Sequence, residues 1–131
     1  MGRLLPSVLC FCLACCALAG PENLALRARV SASSQYSDAY SGQKAIDGVI
    51  PELLSHEDAD HAWAVDGKTA GGKGWITLQW VQPVRVAEVI YYGRTSWGVE
   101  ECWKEYEVLL DDEAEPAARG TFEMNSGPQR I

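Results

Sequence analysis

Cysteine is scarce where it would matter. The chain has five, but Cys10, Cys12, Cys15 and Cys16 fall in an apolar run from Leu4 to Leu18, and only Cys102 stands outside it. A disulfide framework within residues 20–131 is thereby excluded, and the C-x-x-C at Cys12 and Cys15 reads as part of a hydrophobic segment, not as a zinc or redox site. Phenylalanine and histidine occur twice each, so aromatic packing rests on tryptophan and tyrosine. Positive charge is in deficit, with eleven Lys and Arg against eighteen Asp and Glu, which argues against a nucleic-acid footprint and against electrostatic capture by anionic lipid. A ligand that is neutral, cationic or metal-bridged suits this balance. Also missing are a G-x-S-x-G elbow, an H-E-x-x-H helix, a P-loop and a Gly-rich dinucleotide turn. No spacing of carboxylates selects an acid and base pair. The expectation is a protein that binds and does not catalyse.

What is present at the start is a targeting signal. Arg3 gives a basic opening, the run from Leu4 to Leu18 is almost wholly apolar, and Ala17-Leu18-Ala19 supplies small residues in the A-x-A arrangement. The run is shorter than the ~20 residues a spanning helix needs. A signal peptide over 1–19, cleaved after Ala19, and a secreted product are therefore expected. Loss of Arg3 adds one negative charge to the formal −7. Residues 20–131 suffice for one domain and one core, not two. In an oxidising compartment the lone Cys102 is buried, joined to another molecule by an intermolecular disulfide, or matched to a cysteine elsewhere.

Beyond residue 20, short β segments alternate with Gly, Pro, Asp and Ser, and no helical period is sustained. The class expected is all-β. Trp75 to Trp80 is the clearest strand, with Ile76, Leu78 and Trp80 on one face and Thr77 and Gln79 on the other. Pro83 has no N–H to donate and interrupts the ladder. A second strand is predicted over Val84 to Tyr92, and a third from Tyr106 to Leu110 with Arg119 to Met124 as its hairpin return. Val30 to Ser33 suits an edge strand, and Gly42 to Ile46 one helical turn. Trp63, Trp75, Trp80 and Trp103 are assigned mainly to packing. Because Trp75 and Trp80 lie on opposite faces of one strand, at least one of them needs cover from a loop or a partner. The long connection from Ile50 to Gly74 exceeds the ~15 residues usual in a compact domain, which marks it as functional or disordered. Within it, His56-Glu57-Asp58-Ala59-Asp60-His61 would present His56, Asp58 and Asp60 on one side of an extended loop, a conceivable metal site or a solvated acidic stretch.

These segments together spell a pattern. Asn23-Leu24-Ala25, Val30-Ser31-Ala32-Ser33-Ser34, Ala45-Ile46-Asp47-Gly48, Trp63-Ala64, Gly74 to Trp80, Pro83-Val84 and Val89 to Arg94 resemble, in order and spacing, the discoidin or F5/8 type C domains of the galactose-binding-like superfamily. The resemblance implies a jelly-roll β-sandwich over 20–131 whose loops at one end bind a ligand. Two departures stand out: no cysteine lies near Asn23 to close the family's disulfide, and the family's closing C-terminal strands have no counterpart, so an incomplete sandwich is expected. In calcium-binding relatives an aspartate at the position of Asp47 joins the ion. The same Asp-Gly pair also suits a turn in which Asp47 caps and Gly48 takes positive φ. Sugar-binding relatives use His, Arg and an aromatic ring, roles that fall to His61, Arg94 and Trp97, or else these are a surface His, an ion-paired Arg and a Trp covering the core. The fucose-lectin spacing is absent, since Val86 stands where it asks for arginine. Carbohydrate recognition, with calcium as a candidate cofactor, is the function implied. Extracellular protein contact or adhesion and phospholipid-headgroup binding are the alternatives, the last disfavoured by the acidic balance.

Overall fold

A computed structural model describes residues 21–52, 55–94 and 101–131; the expected signal peptide 1–19 and Trp97 lie outside them. The fold is β-rich, built from three antiparallel two-stranded ribbons. In the first, β1 (Arg29–Ala32) pairs with β2 (Ile76–Gln79), with Arg29 opposite Gln79 and Ala32 opposite Ile76. In the second, β3 (Ile90–Tyr92) pairs with β6 (Pro128–Arg130). Reciprocal bonds between Val89 and Ile131, at 3.1 and 2.9 Å, extend this ribbon by one pair. In the third, β4 (Glu105–Val108) pairs with β5 (Ala118–Thr121), and Glu105 faces Thr121. No helix among the described residues is long and apolar enough to cross a membrane.

Alternation decides where the expected strands form. Ile76 and Leu78 turn inward on β2 while Thr77 and Gln79 face water, and Tyr106 and Val108 do the same on β4. The expected strand over Val84 to Tyr92 contracts to its last three residues, because a partner segment pairs only with Val89 to Tyr92. The β4 strand stops at Val108, short of the expected Leu110. Leu109 and Leu110 are exposed, and Asp111 turns the chain at a φ of 51°. Residues Pro128–Arg130, which carry no alternation of their own, become β6. Gly42–Ile46 is a 3₁₀ turn laid on β1 and buries Ile46. Also not expected from sequence is α1 (Gly67–Ala70), a single turn capped by Asp66, whose carboxylate accepts from the Lys68 N–H at 3.1 Å and the Thr69 hydroxyl at 2.8 Å. That Thr69 bond, then the Lys68 N–H, holds the Asp66 carboxyl below its ordinary range.

The aromatic core sits where the second and third ribbons meet. Phe122, 9% exposed, stacks on Tyr91 of β3 at 3.9 Å and on Tyr106 of β4 at 4.4 Å between ring centroids. A second cluster stacks Trp63 on Trp103 at 5.5 Å. Gly74 passes beside both indoles, and a Cβ there would stand 2.9 Å from Trp103 and 3.2 Å from Trp63, so only glycine fits without displacing them. The indole N–H groups of Trp63 and Trp80 donate to the Ser34 and Leu24 carbonyls, both at 2.9 Å. These bonds satisfy the polar edge of each ring as it packs.

Burial disfavours the charged form of Tyr91, and with the nearby Cys102 thiol it pushes the phenol from 10.0 to about 12. The folded state thus prefers the neutral phenol. Its contribution is complete below pH about 10 and is lost as pH rises toward about 12. In an alkaline titration followed by phenolate absorbance, the Tyr91 phenol is expected to ionise only as pH approaches about 12, and unfolding is expected to begin in that window. Ionisation of Tyr91 near pH 10 would contradict its placement.

Candidate functional site

The connection between Ile50 and Gly74 is organised around a buried carboxylate. Asp58 is 1% exposed; its oxygens accept from the Tyr40 hydroxyl at 3.0 Å and from Arg94 Nε at 2.9 Å. The Arg94 guanidinium also donates to Glu101 at 2.8 Å and lies over the Tyr40 ring, 5.0 Å from its centroid. The Tyr40 carbonyl and Ala39 carbonyl accept from Ala64 N–H and Asp60 N–H, at 3.3 and 2.8 Å, stitching the connection to the turn Asp38–Tyr40. An isolated carboxylate at this depth would be costly, and the guanidinium fork compensates it.

The expected row of His56, Asp58 and Asp60 on one side of an extended loop does not form. The chain turns at this point, with His61 N–H donating to the Asp58 carbonyl at 3.0 Å and Asp60 at a φ of 69°. The acids separate accordingly. Asp58 goes inward to Arg94, Asp60 meets Lys44 at 3.1 Å, and His61 Nδ1 meets Asp47 Oδ2 at 2.7 Å. No group of three or more His, Cys, Asp or Glu side chains among the described residues is arranged to hold a metal.

Of the residues singled out from sequence, Asp47, His61 and Arg94 converge on this turn, and Trp97 lies outside the described residues. Asp47 Oδ1 accepts from Val49 N–H at 2.8 Å and Gly48 takes a φ of 83°, the capped turn that the Asp-Gly pair allowed. Its other oxygen lies 2.7 Å from His61 Nδ1, and the imidazole is 40% exposed. Arg94 is mostly covered, its side chain 16% exposed, and its Nε and Nη1 groups donate to the Asp58 and Glu101 carboxylates. It positions the connection. Cys102 is a free, half-buried thiol whose Sγ lies 3.6 Å from the Arg94 carbonyl.

Trp75 is 57% exposed, so its assignment to packing is corrected. It borders a shallow groove of about 340 Å³ lined by Ser33, Ser34, Thr69, Ala70, Lys73 and Gly74. The groove lies at one end of the first ribbon, where β1 finishes and β2 begins, with α1 as its far wall. Ser33 Oγ accepts from Trp75 N–H at 3.1 Å and keeps its own hydrogen to donate. Thr69 donates to Asp66 and keeps its lone pairs to accept. Ser34 Oγ is the one buried side-chain oxygen among the described residues without a partner. Sequence reasoning missed this site because a Trp at a strand start reads as core. The signal that could have found it was the opposite facing of Trp75 and Trp80.

A β-rich chain with an aromatic-edged polar groove at the end of a ribbon is thus the class that fold and site define. Residues 23–98, more than half of the chain, match the family model described as "Domain of unknown function (DUF7402)", and the chain belongs to that family. The match takes in the Trp75 groove, Asp47, His61 and Arg94. No curated protein and no solved structure matches the chain.

Proposed function

We propose that this chain is a secreted, non-catalytic recognition module of the discoidin-like, galactose-binding-like kind, binding carbohydrate through loops at one end of a β-sandwich. The observation that carries the reading is the Trp75 groove. A pyranose ring has an apolar face and a rim of hydroxyls that each donate and accept. The Trp75 indole offers a flat apolar surface, while Ser33 offers a donor, Thr69 an acceptor and Lys73 three donors. An enzyme reading has no such support, because no nucleophile, base and orienting group converge there.

The test is a glycan array probed in calcium and in chelator with the wild-type protein and with Trp75→Ala. Binding is expected, and its loss in the variant should be roughly ten- to hundredfold, the effect of removing about 1.5–3 kcal/mol of aromatic contact. Stability should stay within about 0.5 kcal/mol, since the ring is exposed. Absence of binding to every glycan under both conditions would overturn the proposal. Calcium-dependent binding would restore Asp47 as a ligand candidate. Contact with another protein is the second reading, favoured by Leu26, Val49, Ile50 and Val81, large apolar side chains left at the surface.

A further inference from the structure

A second groove adjoins the first. It holds about 250 Å³ and is lined by Val30, Ala32, Ser34, Gln35, Ser41, Gly42 and Gln43. Ser34 belongs to both linings, so the two grooves meet at the residue whose hydroxyl is buried and unpartnered. Separately the grooves lie near or below the lower limit of small-molecule sites, roughly 300–1,000 Å³, whereas together they fall within it.

Their linings differ in chemistry. The first groove offers an indole, hydroxyls and an ammonium. The second pairs a floor of Val30 and Ala32 methyls with the side-chain amides of Gln35 and Gln43. Gln35 Nε2 donates to Asp38 at 3.0 Å, which fixes the amide and leaves its carbonyl oxygen as an acceptor. An amide acceptor, a second amide able to donate, and an apolar floor match an acetamido group, whose N–H, C=O and methyl need one of each.

We infer that the ligand is an oligosaccharide seated across both grooves, with one ring stacked on Trp75 and an N-acetylated amino sugar beyond Ser34 against Gln35 and Gln43. This rests on the carbohydrate reading and adds to it a length and a substituent.

Two β-1,4-linked series, N-acetylglucosamine and glucose, each from one to four units, are titrated by calorimetry into the full protein, its Gln43→Ala variant and its Trp75→Ala variant. In the acetylated series affinity should rise about tenfold or more between the monosaccharide and the trisaccharide. Gln43→Ala should abolish that gain, and because Gln43 is exposed its loss should leave the thermal stability of the fold unchanged. Trp75→Ala should weaken every length. Equal affinity at all lengths, equal affinity of the two series, or indifference to Gln43→Ala would overturn the two-groove inference while Trp75-dependent binding kept the carbohydrate reading. Failure of both series to bind would overturn it as well, and the array would then decide the broader reading alone.

Discussion

Asp58→Ala is expected to destabilise the protein by about 3–5 kcal/mol, because it removes the buried carboxylate from the covered Arg94 guanidinium and leaves it with the half-exposed Glu101. The Tyr40 hydroxyl loses its acceptor in the same step. Arg94→Ala should cost a similar amount by the opposite route, removing the cation paired with a carboxylate that is 1% exposed. The double variant should cost less than the sum of the two, since removing both charges leaves neither unpaired. Urea unfolding of the four proteins, followed by tryptophan fluorescence, measures the cycle. Additive losses would mean that the two groups do not interact, and a loss below about 1 kcal/mol for Asp58→Ala would place the carboxylate in water. The pair anchors the turn that carries His61.

Phe122→Ala is expected to cost about 3–5 kcal/mol, the range for deleting a buried aromatic ring. Phe122 is held between Tyr91 and Tyr106 and is the contact that joins the second ribbon to the third. With it gone, water reaches Tyr91, and the phenol should titrate closer to 10.0 than to about 12. Phe122→Leu keeps most of the volume and should lose roughly half as much. Thermal unfolding gives the stability and the alkaline titration gives the second readout. A destabilised protein with an unmoved Tyr91 titration would show that the ring supports β5 locally without covering the tyrosine.

What sequence made legible follows from how far a pattern reaches. In β2 and β4 a two-residue alternation is written in the side chains themselves, and the hairpin from β4 to β5 needs only a nearby return, so these elements were readable. The expected jelly-roll arrangement of the ribbons goes beyond what the fold displays, which is three separate pairings. The β6 strand was not readable because Pro128, Gln129 and Arg130 have no alternation; the neighbouring Ile90 to Tyr92 segment makes them a strand by offering its unpaired edge. α1 was missed because four residues cannot show a helical period, although Asp66 three residues before Thr69 was a local capping signal. At the site, the meeting of Asp47 with His61 depends on a turn that brings residues fourteen apart together, and the inward course of Asp58 depends on Arg94, far along the chain. Trp75 shows the limit most clearly. Its residue type says core, and only its neighbours decide that it is left facing water.

The glycan bound most tightly on the array, added to nitrogen-15-labelled protein, tests the central claim through the indole N–H resonances. The Trp75 signal should shift progressively with ligand, while that of Trp80, tied to the Leu24 carbonyl at 2.9 Å, should stay in place. A titration in which the Trp75 signal stands still at saturation would contradict the account, whichever other signals move.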